Sequence, residues 1–153
     1  PDLVYGFGTS FRYKRFSASA SFHGTIGNDI YNNTANNHAY LSNLPGRNVM
    51  KEAVTSGVAY GQPKTFSSRW IEDGSFLRMD NLTLAYEFNV SNCFLSRAQI
   101  YCTAQNLFVL TKYSGLDPEV NSKTTGNGTA PIGTDYLSYP RARTFSLGVN
   151  LTF

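Results

Sequence analysis

The chain has 153 residues, which is enough for one ordinary domain with a hydrophobic core and too few for two. Charged residues make up 15% and aromatic residues 14% of it, a balance that favours β-structure over helix. The formal net charge of +3 comes from scattered Lys and Arg without a dense basic run, so we exclude a nucleic-acid partner. No stretch approaches the roughly 18 consecutive apolar residues of a membrane helix, whereas a membrane-spanning β-strand needs only about ten alternating residues.

The first 26 residues predict a β-hairpin. Residues 3–13 carry apolar side chains on one parity and small or polar side chains on the other. Lys14 and Arg15 make a tight break, and the same alternation resumes from Phe16 to Ile26.

A long loop and a third strand follow. The period-two pattern is lost in residues 27–74, which are rich in Asn and Gly and predict at most one short helix over residues 49–55. Residues 75–88 are extended again, but the apolar parity changes within them. A β-bulge at residues 79–81 would restore a single apolar face.

The rest of the chain predicts two more strands and a second long loop. Residues 89–95 are a short connection. In residues 98–110 apolar and polar side chains alternate, and Asn106 is the one polar residue that interrupts the apolar positions. A loop rich in Gly, Thr and Tyr covers residues 111–141. In the terminal residues 142–153, apolar side chains alternate with small or polar ones without a break up to the last residue.

Short and long connections alternate along these five strands, as they do in outer-membrane β-barrels. On that interpretation the short turns face the periplasm and both long loops lie outside. A bacterial barrel has at least eight strands, in an even number, so we expect further strands upstream of Pro1. The alternative is a soluble, carbohydrate-binding β-sandwich, whose strands show the same alternation because one face points into a core.

No catalytic or metal-binding motif is recognisable. Cys93 and Cys102 are separated by a turn and an extended strand, which puts them beyond disulfide reach, so we expect free thiols. His23 and His38 have no further ligand at metal-binding spacing. No Ser/His/Asp or Cys/His set is placed by a motif. We therefore predict no enzymatic activity, no cofactor and no metal.

Three segments carry a family resemblance: SRWIEDGSFLRMDNLTLAY from Ser68, AQNLFVLTKYSGLDPEV from Ala104, and DYLSYPRARTFSLGVNLTF from Asp135. Together they resemble the C-terminal end of the SusC/RagA family of TonB-dependent outer-membrane transporters. The resemblance implies that residues 1–153 form the last five strands of a 22-stranded transmembrane barrel in the bacterial outer membrane. It further implies import of glycans or peptides, a SusD-like surface lipoprotein as lid, and energy supplied through TonB. The plug domain and the N-terminal strands of the family are absent from this chain.

The terminal strand has a second interpretation by the same resemblance. Its terminal Phe, preceded by apolar residues at every second position, looks like the assembly signal that pairs with the outer-membrane insertion machinery by strand addition. The simpler alternative is that an aromatic terminus anchors the strand in the interfacial girdle of the bilayer. The residues concerned are Phe145, Leu147, Val149, Leu151 and Phe153.

Loop aromatics are the candidates for ligand or lid contact, because their rings can stack on sugars or hold peptide side chains. Those nearest strand ends could equally anchor the barrel at the membrane interface. Asp117 with Glu119 could reach a Ca²⁺ ion, but a solvated turn is favoured because no further oxygen ligands are identifiable. The complete candidate set is Tyr60, Trp70, Tyr113, Asp117, Tyr136 and Tyr139.

Overall fold

A computed structural model describes residues 1–55, 66–90, 95–120 and 133–153. The chain divides into two compact units. We call residues 2–26, 76–111 and 141–153 the sheet unit, and residues 27–75 and 112–140 the loop unit. Among the described residues, no helix has the length and apolar character needed to cross a membrane.

The sheet unit is built from the five long strands that the alternation predicts. They are β1 (Leu3–Tyr13), β2 (Phe16–Ile26), β5 (Phe76–Phe88), β6 (Arg97–Thr111) and β8 (Thr144–Thr152). They form one sheet in the order β1-β2-β5-β6-β8, and every neighbouring pair is antiparallel. The predominantly antiparallel β-fold is therefore confirmed.

The predicted bulge is present in β5. The register with β6 shifts between Met79 and Asn81, and the pairing with β2 also passes over Asp80. On the facing strand Asn106 adopts a left-handed backbone conformation, with φ of 52°, and its side-chain amide donates to the carbonyl of Ala142 at 3.1 Å. Asn tolerates this conformation better than most residues, which explains why a polar residue occupies this position in β6.

The register separates the side chains of the sheet into two faces of opposite character. One row across all five strands consists of hydroxyl side chains, and within it the hydroxyls of Thr83 and Thr103 lie 3.1 Å apart. The adjacent row on the other face is mostly apolar, and its Leu147 is 73% exposed. The hydroxyl row is Ser10, Ser19, Thr83, Thr103 and Ser146, and the apolar row is Phe11, Ala18, Leu84, Cys102 and Leu147.

The loop unit contains more regular structure than the sequence pattern predicts. The helix α2 (Lys51–Thr55) lies within the predicted range, but a three-stranded sheet is also present. It is made of β3 (Asp29–Asn32), β4 (Ile71–Asp73) and β7 (Thr134–Asp135), with β3 in the centre, antiparallel to β4 and parallel to β7. A helix α1 (Asn33–His38) and single 3₁₀ turns at Leu41–Asn43 and Ser68–Trp70 complete it. The prediction of nearly structureless loops was wrong because these elements are too short to show a period and depend on distant pairing.

Two small hydrophobic clusters hold the loop unit together. One contains Ile30, which is fully buried, with Tyr113 and Val120. The other consists of Ala35, Ala39, Tyr40 and Trp70, against which Tyr31 and Met50 pack. Both clusters join segments far apart in the sequence, so the long loops have cores of their own.

Candidate functional site

A cavity of about 440 Å³ opens within the loop unit. This size lies in the range of pockets that take small ligands or single side chains. Its wall is formed by α1, the segment after β6 and the segment after β7, and it includes Thr34, Met50, Leu116, Asp135, Leu137 and Tyr139.

Asp135 is the acidic group of the cavity wall, and it is only 4% exposed. The hydroxyl of Tyr113 donates to one of its carboxylate oxygens at 2.6 Å, and the hydroxyl of Thr34 donates to the other at 3.4 Å. The backbone N–H of Ser138 also donates to that second oxygen at 3.2 Å, and the N–H of Leu137 donates to the Thr34 hydroxyl at 2.7 Å. A buried carboxylate needs several such donors. Asp135 therefore joins the segment after β7 to the segment after β6, through Tyr113, and to α1, through Thr34.

Burial raises the pKa of the Tyr113 phenol far above its ordinary value, and the hydrogen bond to Asp135 adds to the shift. The negative charges of Asp135 and Glu72 act in the same direction. Tyr113 therefore remains a neutral hydrogen-bond donor at every physiological pH. In the loop unit its hydroxyl donates a hydrogen bond to the buried carboxylate of Asp135.

Glu72 accepts hydrogen bonds from two residues of the cavity wall, Ser114 and Asn32. One carboxylate oxygen accepts from the backbone N–H of Ser114 at 2.8 Å, and the other accepts from the Ser114 hydroxyl at 2.8 Å and from the Asn32 amide at 3.0 Å. Asn32 also caps α1, because its side-chain oxygen accepts from the N–H of Ala35 at 2.8 Å. Strand β4, helix α1 and the segment after β6 are thereby tied together.

The side chains of Asn32, Thr34, Ser114 and Asp135 in the wall thus have partners inside the protein, and much of the remaining lining is apolar. The arrangement suits contact with a ligand through apolar and aromatic surface. Among the described residues, no group of three His, Cys, Asp or Glu side chains is placed to hold a metal ion.

The sequence-predicted contact residues fall into separate environments. Tyr139 lines the cavity and is 93% exposed, and Tyr136 is half-exposed. The other three described residues are buried: Trp70, Tyr113 and Asp117. The centre of the Trp70 ring lies 4.9 Å from the Arg69 guanidinium. The Asp117 carboxylate accepts a hydrogen bond from the N–H of Glu119 at 2.9 Å. Tyr60 lies outside the described residues. Contact of any of these six with a ligand or a lid stays a prediction.

Sequence reasoning missed Thr34 and Asp135, which line the cavity. The Thr34 and Asp135 side chains meet across 101 positions of sequence, so no local spacing could reveal the pair. The one local signal was the Asn-Asn-Thr run at the start of α1, which is typical of a helix N-cap.

The terminal strand β8 shows the predicted alternation in three dimensions. Phe145, Leu147, Val149 and Leu151 are all more than half exposed and share one face, as does the terminal Phe153 by its parity. On the opposite face the Asn150 amide donates to the side-chain oxygen of Gln99 at 3.2 Å. Recognition of this strand by the insertion machinery stays a prediction.

The one cysteine in the described part of the chain, Cys102, is a free thiol and is exposed on the apolar face of the sheet. Its predicted free state is confirmed. Cys93 lies outside the described residues.

No family model matches the sequence. The curated proteins to which it is similar are TonB-dependent receptors. TonB-dependent receptor P3 of Formosa agariphila is 34% identical over 173 residues, which cover 100% of this chain and 16% of that protein. TonB-dependent receptor SusC of Bacteroides thetaiotaomicron is 36% identical over 164 residues, which cover 99% of this chain and 15% of that protein. The chain therefore spans about one sixth of the length of these curated relatives.

Solved structures agree with the sequence relatives. The RagAB peptide importer in its closed-closed state matches with a TM-score of 0.77 and 25% identity, over 98% of this chain and 17% of that chain. A structure of the RagAB peptide transporter matches with a TM-score of 0.79 and 25% identity, over 97% of this chain and 17% of that chain. The sequence relatives and the fold together lead to one assignment: the chain belongs to the SusC/RagA family of TonB-dependent receptors and is a C-terminal fragment of such a receptor.

Proposed function

We propose that residues 1–153 form the closing part of a 22-stranded β-barrel in the bacterial outer membrane, and that the barrel imports glycans or peptides. The observation that supports this most directly is the exposed apolar face of the five-stranded sheet, where Leu147 is 73% exposed. Water disfavours a continuous apolar surface of this kind, whereas a lipid bilayer accommodates it. The hydroxyl-rich face would then line the barrel interior.

The same observation weighs against a soluble β-sandwich. In a sandwich a second sheet covers the apolar face at a spacing of about 10 Å. Within the described part of the sheet unit there is one sheet, and large side chains of its apolar face such as Phe11, Leu147 and Val149 remain exposed. The membrane interpretation therefore accounts for these side chains and the sandwich does not.

The two long connections would lie outside the cell, since barrels of this class have short periplasmic turns and long extracellular loops. We assign the cavity of the loop unit, with Tyr139 and Tyr136, to contact with the substrate or with the lid. Buried Trp70, Tyr113 and Asp117 would act one step removed, by holding the loops in shape.

The partners follow from the family. The receptor would carry a SusD-like surface lipoprotein as its lid and receive energy from TonB through a part of the receptor outside this chain. The matched structures are described as those of a peptide importer, which supports a peptide as cargo. A glycan is the other cargo that the family resemblance implies.

Uptake by cells tests this proposal. Cells are offered labelled oligosaccharides and labelled peptides. Deleting the gene of the full receptor should abolish uptake of one of these two substrate classes. Deleting TonB in a wild-type background should abolish uptake of the same class. Expression of the receptor from a plasmid should restore uptake. Unchanged uptake of both classes in the receptor-deletion strain would overturn the proposal.

A further inference from the structure

The turn between β1 and β2 combines two cations with three aromatic rings. Lys14 adopts a left-handed conformation, with φ of 53°, and its ammonium nitrogen lies 5.4 Å from the centre of the Tyr13 ring. Together with Arg15, Phe16 and Tyr86 these residues line an open groove of about 410 Å³. As whole residues, Tyr13, Phe16 and Tyr86 are all at least 40% exposed.

The two cations of the turn are not neutralised locally. Glu87, the acidic residue of β5 next to Tyr86, is occupied by other partners: it pairs with Arg12 at 3.1 Å and with Arg97 at 3.0 Å. All ten acidic residues lie in the described part of the chain, and neither Lys14 nor Arg15 forms an ion pair with any of them. The groove therefore carries an uncompensated charge of two.

The aromatic rings continue the apolar face of the sheet. Tyr13 pairs with Phe16, and Phe16 pairs with Tyr86 in the row that runs on to Ile100 and Val149. The ring of Phe88 meets Tyr86 edge-on at 4.9 Å. A belt of aromatic residues that ends an apolar face is the feature by which membrane barrels mark the level of the lipid headgroups. Lys14 and Arg15 line the same groove as these rings.

We propose that this turn binds the headgroup phosphate of an anionic phospholipid in the periplasmic leaflet of the outer membrane. Lys14 and Arg15 would contact the phosphate, and the rings would pack against the glycerol and upper acyl chains. The assignment rests on the proposed function, which puts the short turns on the periplasmic side. Free phosphate is a poor occupant, because exposed cations in water hold an ion weakly without the added burial of acyl chains.

Native mass spectrometry of the full receptor in detergent tests the proposal. Phosphatidylglycerol and phosphatidylcholine with the same acyl chains are offered at equal concentration, so that the two lipids differ in net headgroup charge. The wild-type receptor should bind phosphatidylglycerol in preference. The double variant Lys14→Gln/Arg15→Gln should lose that preference, by about fivefold for each cation removed.

A matched control removes the same charge elsewhere. Arg47 and Lys51 are exposed in the loop unit, so Arg47→Gln/Lys51→Gln should bind both lipids as the wild type does. Unchanged preference in a Lys14→Gln/Arg15→Gln receptor that still runs as a folded, heat-modifiable barrel would overturn the proposal. Displacement of phosphatidylglycerol by an equal concentration of glycerol 3-phosphate would overturn the assignment to lipid. Substrate uptake is measured separately on the same variants, so failure of lipid binding is distinguished from failure of the transport function.

Discussion

The hydroxyl of Tyr5 on β1 donates a hydrogen bond to the backbone carbonyl of Phe76 on β5, at 3.0 Å, and so reaches across the strand between them. The residue of β2 that it crosses is Gly24, which pairs directly with Tyr5. A Cβ atom at Gly24 would overlap both the Phe76 carbonyl and the Tyr5 ring. Because Gly24 has no side chain, the Tyr5 side chain can pass over β2 and bind the backbone of β5.

We expect Gly24→Ala to destabilise the folded receptor by roughly 1–3 kcal/mol, because the overlapping carbonyl belongs to the backbone and the sheet must shift. Urea unfolding of the detergent-folded receptor measures the change. Gly8→Ala in β1 is the control: a Cβ there would lie 3.6 Å from the nearest carbonyl, at ordinary contact distance. Equal stabilities of the two variants would contradict this account of Gly24.

Leu147→Arg should cost about 2–4 kcal/mol and impair membrane insertion, because it puts a charge on the lipid-facing side near the middle of β8. Asn150→Arg changes a residue of the opposite face and should be tolerated. The amount of heat-modifiable receptor in isolated outer membranes measures both effects. Equal tolerance of the two substitutions would remove the distinction between a lipid face and an interior face.

Tyr113→Phe should destabilise the loop unit by about 1–3 kcal/mol, since Asp135 would remain buried after losing a short hydrogen bond. Faster proteolytic cleavage within residues 27–75 and 112–140 would report the change in otherwise intact receptor. Tyr139→Phe is the control, because the Tyr139 side chain is almost fully exposed. If cleavage rates of the two variants match, the Tyr113–Asp135 contact does not stabilise the loops.

The raised pKa of Tyr113 predicts alkaline weakening of the loop unit. The ordinary pKa of this phenol is 10.0, and burial beside Asp135 raises it in the folded state. Above pH 10 the unfolded chain therefore binds fewer protons than the folded unit, so stability is full below that pH and falls as pH rises past it. Loop cleavage should accelerate above pH 10 in the wild type and less steeply in Tyr113→Phe. A steeper rise in the variant would contradict the assignment.

Tyr139→Ala should reduce affinity for the imported substrate by about three- to tenfold, as expected for loss of one aromatic contact at the edge of the cavity. Isothermal titration of the receptor with its substrate, identified by the uptake assay, measures this. Val54→Ala is the control, because Val54 is an exposed apolar residue of the loop unit that does not line the cavity. Unchanged affinity in Tyr139→Ala would exclude Tyr139 as a substrate contact.

The sheet could be predicted from the sequence because period-two alternation is a local signal. Even the bulge in β5 was visible, as a change of parity near Met79. The loop unit was less accessible: β3 has four residues, β7 has two, and they pair about 100 positions apart. Such elements are set by tertiary contacts and leave no periodic trace.

The same reason limited the prediction of the cavity. Tyr113 and Tyr139 look alike in the sequence, as aromatic residues of one long loop. The structure buries the first against Ile30 and exposes the second at the cavity. Burial depends on which distant strand lies opposite, and that information is absent from the local pattern.

Spin-label accessibility along β8 tests the central claim most directly. Single cysteines at residues 145–151, in a receptor whose Cys93 and Cys102 are replaced by alanine, are spin-labelled and reconstituted into lipid bilayers. We expect high accessibility to lipid-soluble oxygen at Phe145, Leu147, Val149 and Leu151, and low accessibility at the positions between them. Accessibility without a period of two, or with oxygen favouring Ser146, Gly148 and Asn150, would contradict the membrane-wall interpretation of the sheet.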